Sequence, residues 1–355
     1  MRVSPSFTRV LACGVAAATL SSVPLLAKPI AAQATHYRLV ARVPLAGAGG
    51  WDYLTCDPAA NRLYITRGDR VDVVNLKTRA VVGHVPGLAG VHGVALDARL
   101  HRGFTSNGRD NTVTVFDTRT LHKIGLVKVG NRPDAIVFDP AAGRVFTLNG
   151  GSNDASAVDA RTLKVVGTVK LGGRPEFAAA DGHGRLYVNI EDKSQVVEVD
   201  SRALVLRHRW SMSPGQEPSG LTLDAGTERV FSTCHNGMMT VLNGENGKVV
   251  AAPPIGKGPD AAQFDPARRL AFSSNGMDGS ITVIREVSPK VFRVVQTVPT
   301  VKGARTMAID TRTHFLYLVT AKFAPNPPGP PPTGQPRWRR NTIPGTFELL
   351  VVSPR

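Results

Sequence analysis

NRPDAIVFDP, residues 131–140, sets a polar entry, a carboxylate at Asp134, a short apolar run and a closing Asp139-Pro140 into ten positions. Its cadence returns along the chain. Aligned on the closing aspartate, the same residue type stands at Asp57, Asp97, Asp139, Asp181, Asp224, Asp265 and Asp310, at intervals of 40, 42, 42, 43, 41 and 45 residues. Self-similarity at that period marks an array of units, each burying its apolar faces against its neighbours.

Each copy holds four short β-rich runs separated by turn residues, as in DAIVFD, RVFTLN, ASAVDA and KVVGTVKL of the third. No sustained helical period is present. Four strands in each of seven copies predict an all-β chain folded as a seven-bladed β-propeller, in which radial repetition leaves only short edges. The two ends support this count. The seventh copy supplies RTMAID (305–310), FLYLVT (315–320) and FELLVV (347–352) and stops one strand short, whereas HYRLVARV (36–43) is a surplus strand before the first copy. The N-terminal strand is therefore predicted to complete the last blade, over a propeller spanning 35–355.

These residues carry a family resemblance. The copies resemble the YVTN repeat of bacterial β-propellers, the YncE-like branch. Pro133-Asp134-Ala135-Ile136-Val137 matches its opening, Phe104-Thr105-Ser106-Asn107 its second strand, and Asn111-Thr112-Val113-Thr114-Val115-Phe116-Asp117 its third. The resemblance covers nearly the whole of 35–355 and implies the propeller fold. It implies no single function, because propellers host binding, hydrolysis, lyase and redox roles alike.

One position changes from copy to copy. Five residues before each anchoring aspartate stand Asp52, His92, Asp134, Glu176, Ser219, Asp260 and Arg305, and six of the seven are ionisable. The repeat itself demands no charge there. A second position, ten residues after the anchor, reads Arg67, Asn107, Asn149, Glu191, Cys234, Asn275 and Thr320, with Asn the expected residue. Both loops fall on one face of a propeller, so two polar rings are predicted to surround a single channel mouth. Asp52, His92, Asp134, Glu176, Asp260, Arg305, Arg67 and Glu191 are the candidate ligand-binding residues. Converging carboxylates suit a divalent cation such as calcium or magnesium, and His92 shifts the preference towards a transition metal. The competing reading is that these side chains bond loop backbone and pair with Arg67, Arg305, Arg132 or Arg174.

Other features carry less. Trp51 and Tyr53 flank Asp52 as an aromatic wall or as packing between blades. Cys56 and Cys234 read as core, and the adjacency of Cys234 and His235 does not by itself make a catalytic pair. GLAGVHG (87–93) lacks the following helix a phosphate loop needs. No haem, nucleophile-elbow or zinc-protease motif is present. A proline-rich stretch, 323–345, is inserted between the second and third strands of the last blade and favours an extended conformation.

The first 34 residues read as a secretory signal: Arg2 and Arg9 without acids, an apolar run from Val10 to Ala27 holding Cys13, and Ala32-Gln33-Ala34 before a cleavage site. A periplasmic or secreted location follows. The formal charge of +16 falls to +13 when Arg2, Arg9 and Lys28 leave, an excess that suits nucleic acid or another polyanion. The leading expectation is an exported propeller binding a small molecule or protein partner at its channel mouth. The rivals are a metal-dependent hydrolase or lyase built on His92, Glu176 and Asp134, and a polyanion or nucleic-acid binder.

Overall fold

Turn chemistry explains why an aspartate recurs. In all seven copies the anchoring carboxylate accepts a main-chain N–H two or three residues on, as Asp57 does from Ala60 (3.0 Å), Asp139 from Ala141 (3.0 Å) and Asp310 from Arg312 (3.0 Å). Such Asx turns reverse the chain between the first and second strands of a copy. The computed structural model describes residues 1–2, 4, 36–47, 50–325 and 342–355, so the predicted signal segment and most of the proline-rich insertion fall outside the described residues.

The described chain is all-β, with one short 3-10 turn at Glu191–Lys193, and no helix of it is long and apolar enough to cross a membrane. The third copy forms antiparallel strands Pro133–Asp139, Arg144–Asn149, Asp154–Asp159 and Val165–Lys170, within two residues of the sequence reading. Among the described residues there are six sheets, five of four strands and one of seven. The large one holds the first two copies, because Val81–Asp97 runs unbroken from the last strand of one into the first strand of the next. Gly87 and Gly90, both at positive φ, turn that strand, and Gly68 pairs with Val91 across the junction.

The surplus N-terminal strand, Tyr37–Pro44, pairs antiparallel with the last strand, Glu348–Pro354, with Ala41 opposite Val351. Gln296 of the sixth copy clasps it by bonding both the N–H and the carbonyl of Tyr37. First strands of successive copies pack on one another, and Met307–Asp310 packs back on Leu54–Asp57.

Apolar packing follows the same order. Among the described residues, buried clusters each bridge two copies, such as Phe104, Val113, Val145 and Val158 between the second and third. Second and third strands are covered on both faces, whereas outer strands such as Lys123–Lys128 stay largely exposed. A second, polar device joins the copies. Arg102 donates to the carbonyls of Ala160 (2.6 Å) and Arg161 (2.7 Å) in the next copy, Arg144 to Ser201 (2.7 Å) and Arg202 (2.8 Å), and Arg62 to Thr118. Part of the basic excess is thus spent on main-chain carbonyls rather than on a partner surface.

At the second varying position several side chains turn inward. Asn107, Asn149 and Asn275 are buried and turn into their own sheets. Each amide donates to side chains five and seven residues on: Asn107 to Thr112 and Thr114 (both 3.0 Å), Asn149 to Asp154 (2.8 Å) and Ser156 (2.9 Å), Asn275 to Ser280 (3.1 Å) and Thr282 (2.9 Å). Arg67 plays the same part with charges. Its guanidinium pairs with Asp72, again five residues on, at 3.1 Å and lies 3.6 Å over the Phe347 ring. Burial pulls the Arg67 pKa down to about 10 against the attraction of Asp72. Arg67 is therefore a buried knot inside the first copy. Asp72→Ala should remove this carboxylate from beside the buried guanidinium and cost ~3–5 kcal/mol. A denaturant midpoint within error of the parent would contradict that role.

Candidate functional site

The first strands that carry the first varying position pack side by side. The side chains at that position are joined in series. Asp134 Oδ1 lies 3.4 Å from His92 Nδ1, which lies 2.7 Å from Asp52 Oδ2. Asp52 Oδ1 accepts from Arg305 Nη2 at 3.1 Å, Arg305 Nη1 reaches Asp260 Oδ2 at 3.1 Å, and Ser219 Oγ donates to Asp260 Oδ1 at 3.0 Å. Charge alternates along this series: acid, imidazole, acid, guanidinium, acid. Arg305 is also tied to the Trp51 carbonyl at 2.9 Å, and Thr306 Oγ1 to that of Asp52 at 2.7 Å. Much of the predicted pairing is thus present, with Arg305 as its hub.

Glu176 alone of the seven stands outside the series. No hydrogen bond or ion pair joins its carboxyl to the other described residues. Burial pushes its pKa well above the ordinary carboxylate range, and Asp134, Glu191, Asp260 and Asp52 add to the rise. Glu176 lines a cavity of about 140 Å³ with His92, Asp134, Gly108, Gly150 and the arginines Arg132 and Arg174. Arg174 pairs with Glu191, which places Glu191 at the edge of this cavity. The glycines make the room: a Cβ on Gly108 would stand 2.8 Å from His92 Nε2.

Tyr53 was readable only in part. It is buried, meets Phe177 edge-on at 5.0 Å between ring centroids, and packs with Ala135 and Ala178 of the third and fourth copies. Its side chain therefore crosses the axis beneath the ring. Burial, then Glu176, Asp134, Asp52 and Asp260, push its phenol pKa well up. The signal lay one residue past the ring, where the copies read Tyr53, Gly93, Ala135, Phe177, Gly220, Ala261 and Thr306. Two large side chains among small ones are those that fill the axis. Trp51 packs instead against Phe347 and Phe323, so the between-blade reading holds for it.

Asp52, His92 and Asp134 bring ligand atoms within 4.8 Å of one another. That geometry fits one imidazole nitrogen and two carboxylate oxygens around a small cation. Burial by itself would lower the His92 pKa, but Asp134 and the hydrogen bond and charge of Asp52 outweigh it and hold it up at about 9. At neutral pH a proton therefore occupies the point where these three groups converge. Cys234 is buried against Thr240, and burial raises its pKa, so it offers no nucleophile.

The sequence matches no family profile and no curated protein. Solved structures are similar in fold. A chain of hydrazine synthase from Kuenenia stuttgartiensis is similar at a TM-score of 0.68 and 16% identity, over 77% of this chain and 94% of that one. A chain of a mitotic checkpoint complex is similar at 0.71 and 14%, over 88% and 95% respectively. Both are propeller-like, and at these identities the likeness shows fold alone.

The folded His92 pKa lies above its ordinary value of 6.5, so its contribution to stability is complete below pH 6.5 and is lost as pH rises through about 9. Glu176, also raised, acts in the same sense from 4.5 upward. His92→Gln should lower stability at pH 6 by on the order of 1–2 kcal/mol, a figure reduced for partial exposure, and flatten the loss between pH 6.5 and 9. Thermal melts across that range check it, and a variant profile parallel to the parent's would contradict the His92–carboxylate link.

Proposed function

We propose that the chain is an exported seven-bladed propeller of the YVTN-repeat kind, closed by its N-terminal strand, that binds a small polar ligand at the mouth of its channel. The recurrence of seven anchoring aspartates, the junction clusters and the pairing of the first strand with the last support the ring. The observation that carries the binding role is the cavity at Glu176, where the ring's own pairing stops and donors and acceptors of both signs face one small volume.

The test is a thermal-shift panel of methylammonium, acetate, glycine and inorganic phosphate at millimolar concentration. At least one should raise the Tm of the parent and lose that effect in Gly150→Leu, whose added Cβ meets nothing closer than 3.7 Å and whose side chain would fill the cavity. A panel in which no probe stabilises the parent would overturn the reading.

A second reading has its own support in the convergence of Asp52, His92 and Asp134. A transition-metal ion there would have to displace the His92 proton, so the affinity for Zn²⁺ or Mn²⁺ should rise between pH 7 and 9. An affinity that is absent, or flat across that range, would remove it.

A further inference from the structure

A departure from the repeat on the turns between third and fourth strands marks a second place. In the second, third and fourth copies this turn sets Leu121, Leu163 and Leu204 at positive φ. Each leucine plugs the junction with the copy before it, resting against Gly83, Gly125 and Gly167 in turn; a Cβ on Gly83 would stand 2.6 Å from Leu121 Cδ1. The first copy builds the same turn, with Asn75 Oδ1 accepting from the N–H groups of Lys77 (2.9 Å) and Thr78 (3.0 Å). The residue at positive φ there is Arg79. Where the leucine plug is missing, an open groove of about 480 Å³ is lined from the first copy by Leu76, Lys77 and Arg79 and from the last by Arg312, Phe315 and Tyr317. Arg312 is steadied by Asn61 Oδ1 at 2.9 Å and lies 3.6 Å from Asp310, the buried anchor of its own turn. Lys77 and Arg79 make no ion pair among the described residues. The groove between the second and third copies differs, because Asp97 and Asp159 stand there beside Arg99 and Arg161.

We propose that the groove at Lys77, Arg79 and Arg312 binds a small phosphate monoester with an apolar or aromatic body. One ammonium and two guanidiniums line it, and the three terminal oxygens of a phosphate monoester supply an acceptor for each. A carboxylate offers only two oxygens, and a divalent cation would meet three like charges. Leu76, Phe315 and Tyr317 give the body of the ester an apolar wall, and the volume suits a small molecule. Because its cations come from the first and last copies, the ester would bridge the two ends of the repeat array. The groove shares no residue with the cavity at Glu176, and neither role requires the other.

Titration calorimetry on the full chain, with phenyl phosphate, inorganic phosphate and phenol as probes, tests this. Phenyl phosphate should bind, inorganic phosphate about tenfold more weakly, and phenol without measurable heat. Arg79→Leu, which restores the residue of the other copies, should leave the Tm equal or higher and weaken phenyl phosphate by about tenfold; Lys77→Gln should weaken it by about fivefold. Lys193→Gln removes the same charge in the fourth copy and should leave the affinity unchanged, as should Gly150→Leu at the channel mouth. No heat from phenyl phosphate, or a loss in Lys193→Gln as large as in Lys77→Gln, would overturn the proposal. Loss confined to Gly150→Leu would overturn it while supporting the cavity at Glu176. Inorganic phosphate binding as tightly as phenyl phosphate, or capture by phosphatidic acid vesicles without phenyl phosphate binding, would overturn it as well.

Discussion

Everything in this molecule depends on one packing constraint: a four-stranded copy has two apolar faces and cannot cover either by itself. The second and third strands of each copy are buried on both sides, so each sheet needs a neighbour before and after it. A linear stack would leave one bare face at each end. Here the first and last copies meet instead, with Leu54, Leu63 and Ile65 packed among Tyr317, Val319 and Leu349. The N-terminal strand pairs with the C-terminal one at the same junction, so separating the ends would break a ladder of main-chain hydrogen bonds as well as a core.

The candidate site follows from that arrangement. First strands packed side by side bring the variable residues of neighbouring copies together, and charges placed there lie a few ångströms apart in partly dry surroundings. Like charges so placed repel, and the ring answers with alternation and with protonation. His92 carries a proton between Asp52 and Asp134, Arg305 bridges Asp52 and Asp260, and Glu176, paired with no cation among the described residues, keeps its own proton well into the range where a carboxyl is normally ionised. Among the described residues Glu176 is the member of this position that the pairing leaves out, and it lines the cavity with His92 and Asp134.

The all-β class and the strand boundaries were legible because they rest on periodic chemistry: an Asx turn every 40 to 45 residues and apolar runs between. The asparagines misled because sequence order tells which end of a strand a residue occupies but not which way its side chain turns. Asn149 ends its strand beside the opening, yet its amide is satisfied by Asp154 and Ser156 inside the sheet. Arg67 read as a departure with a function and proved a departure with a matching partner at Asp72. Tyr53 was legible only by comparison down its column, where small residues mark a crowded axis. A net charge likewise counts arginines without saying that Arg62, Arg102 and Arg144 are turned towards neighbouring carbonyls.

The most direct measurement is a double-mutant cycle between Asp52 and Arg305, which lie 253 residues apart in sequence and 3.1 Å apart in space. Their contact exists only if the copies close on themselves and the variable position faces inward. With Asp52→Asn, Arg305→Met and the double variant, the account expects a coupling of about 1 kcal/mol or more in unfolding free energy. Effects that add to within about 0.3 kcal/mol would contradict both the closed arrangement and the ring of charges built upon it.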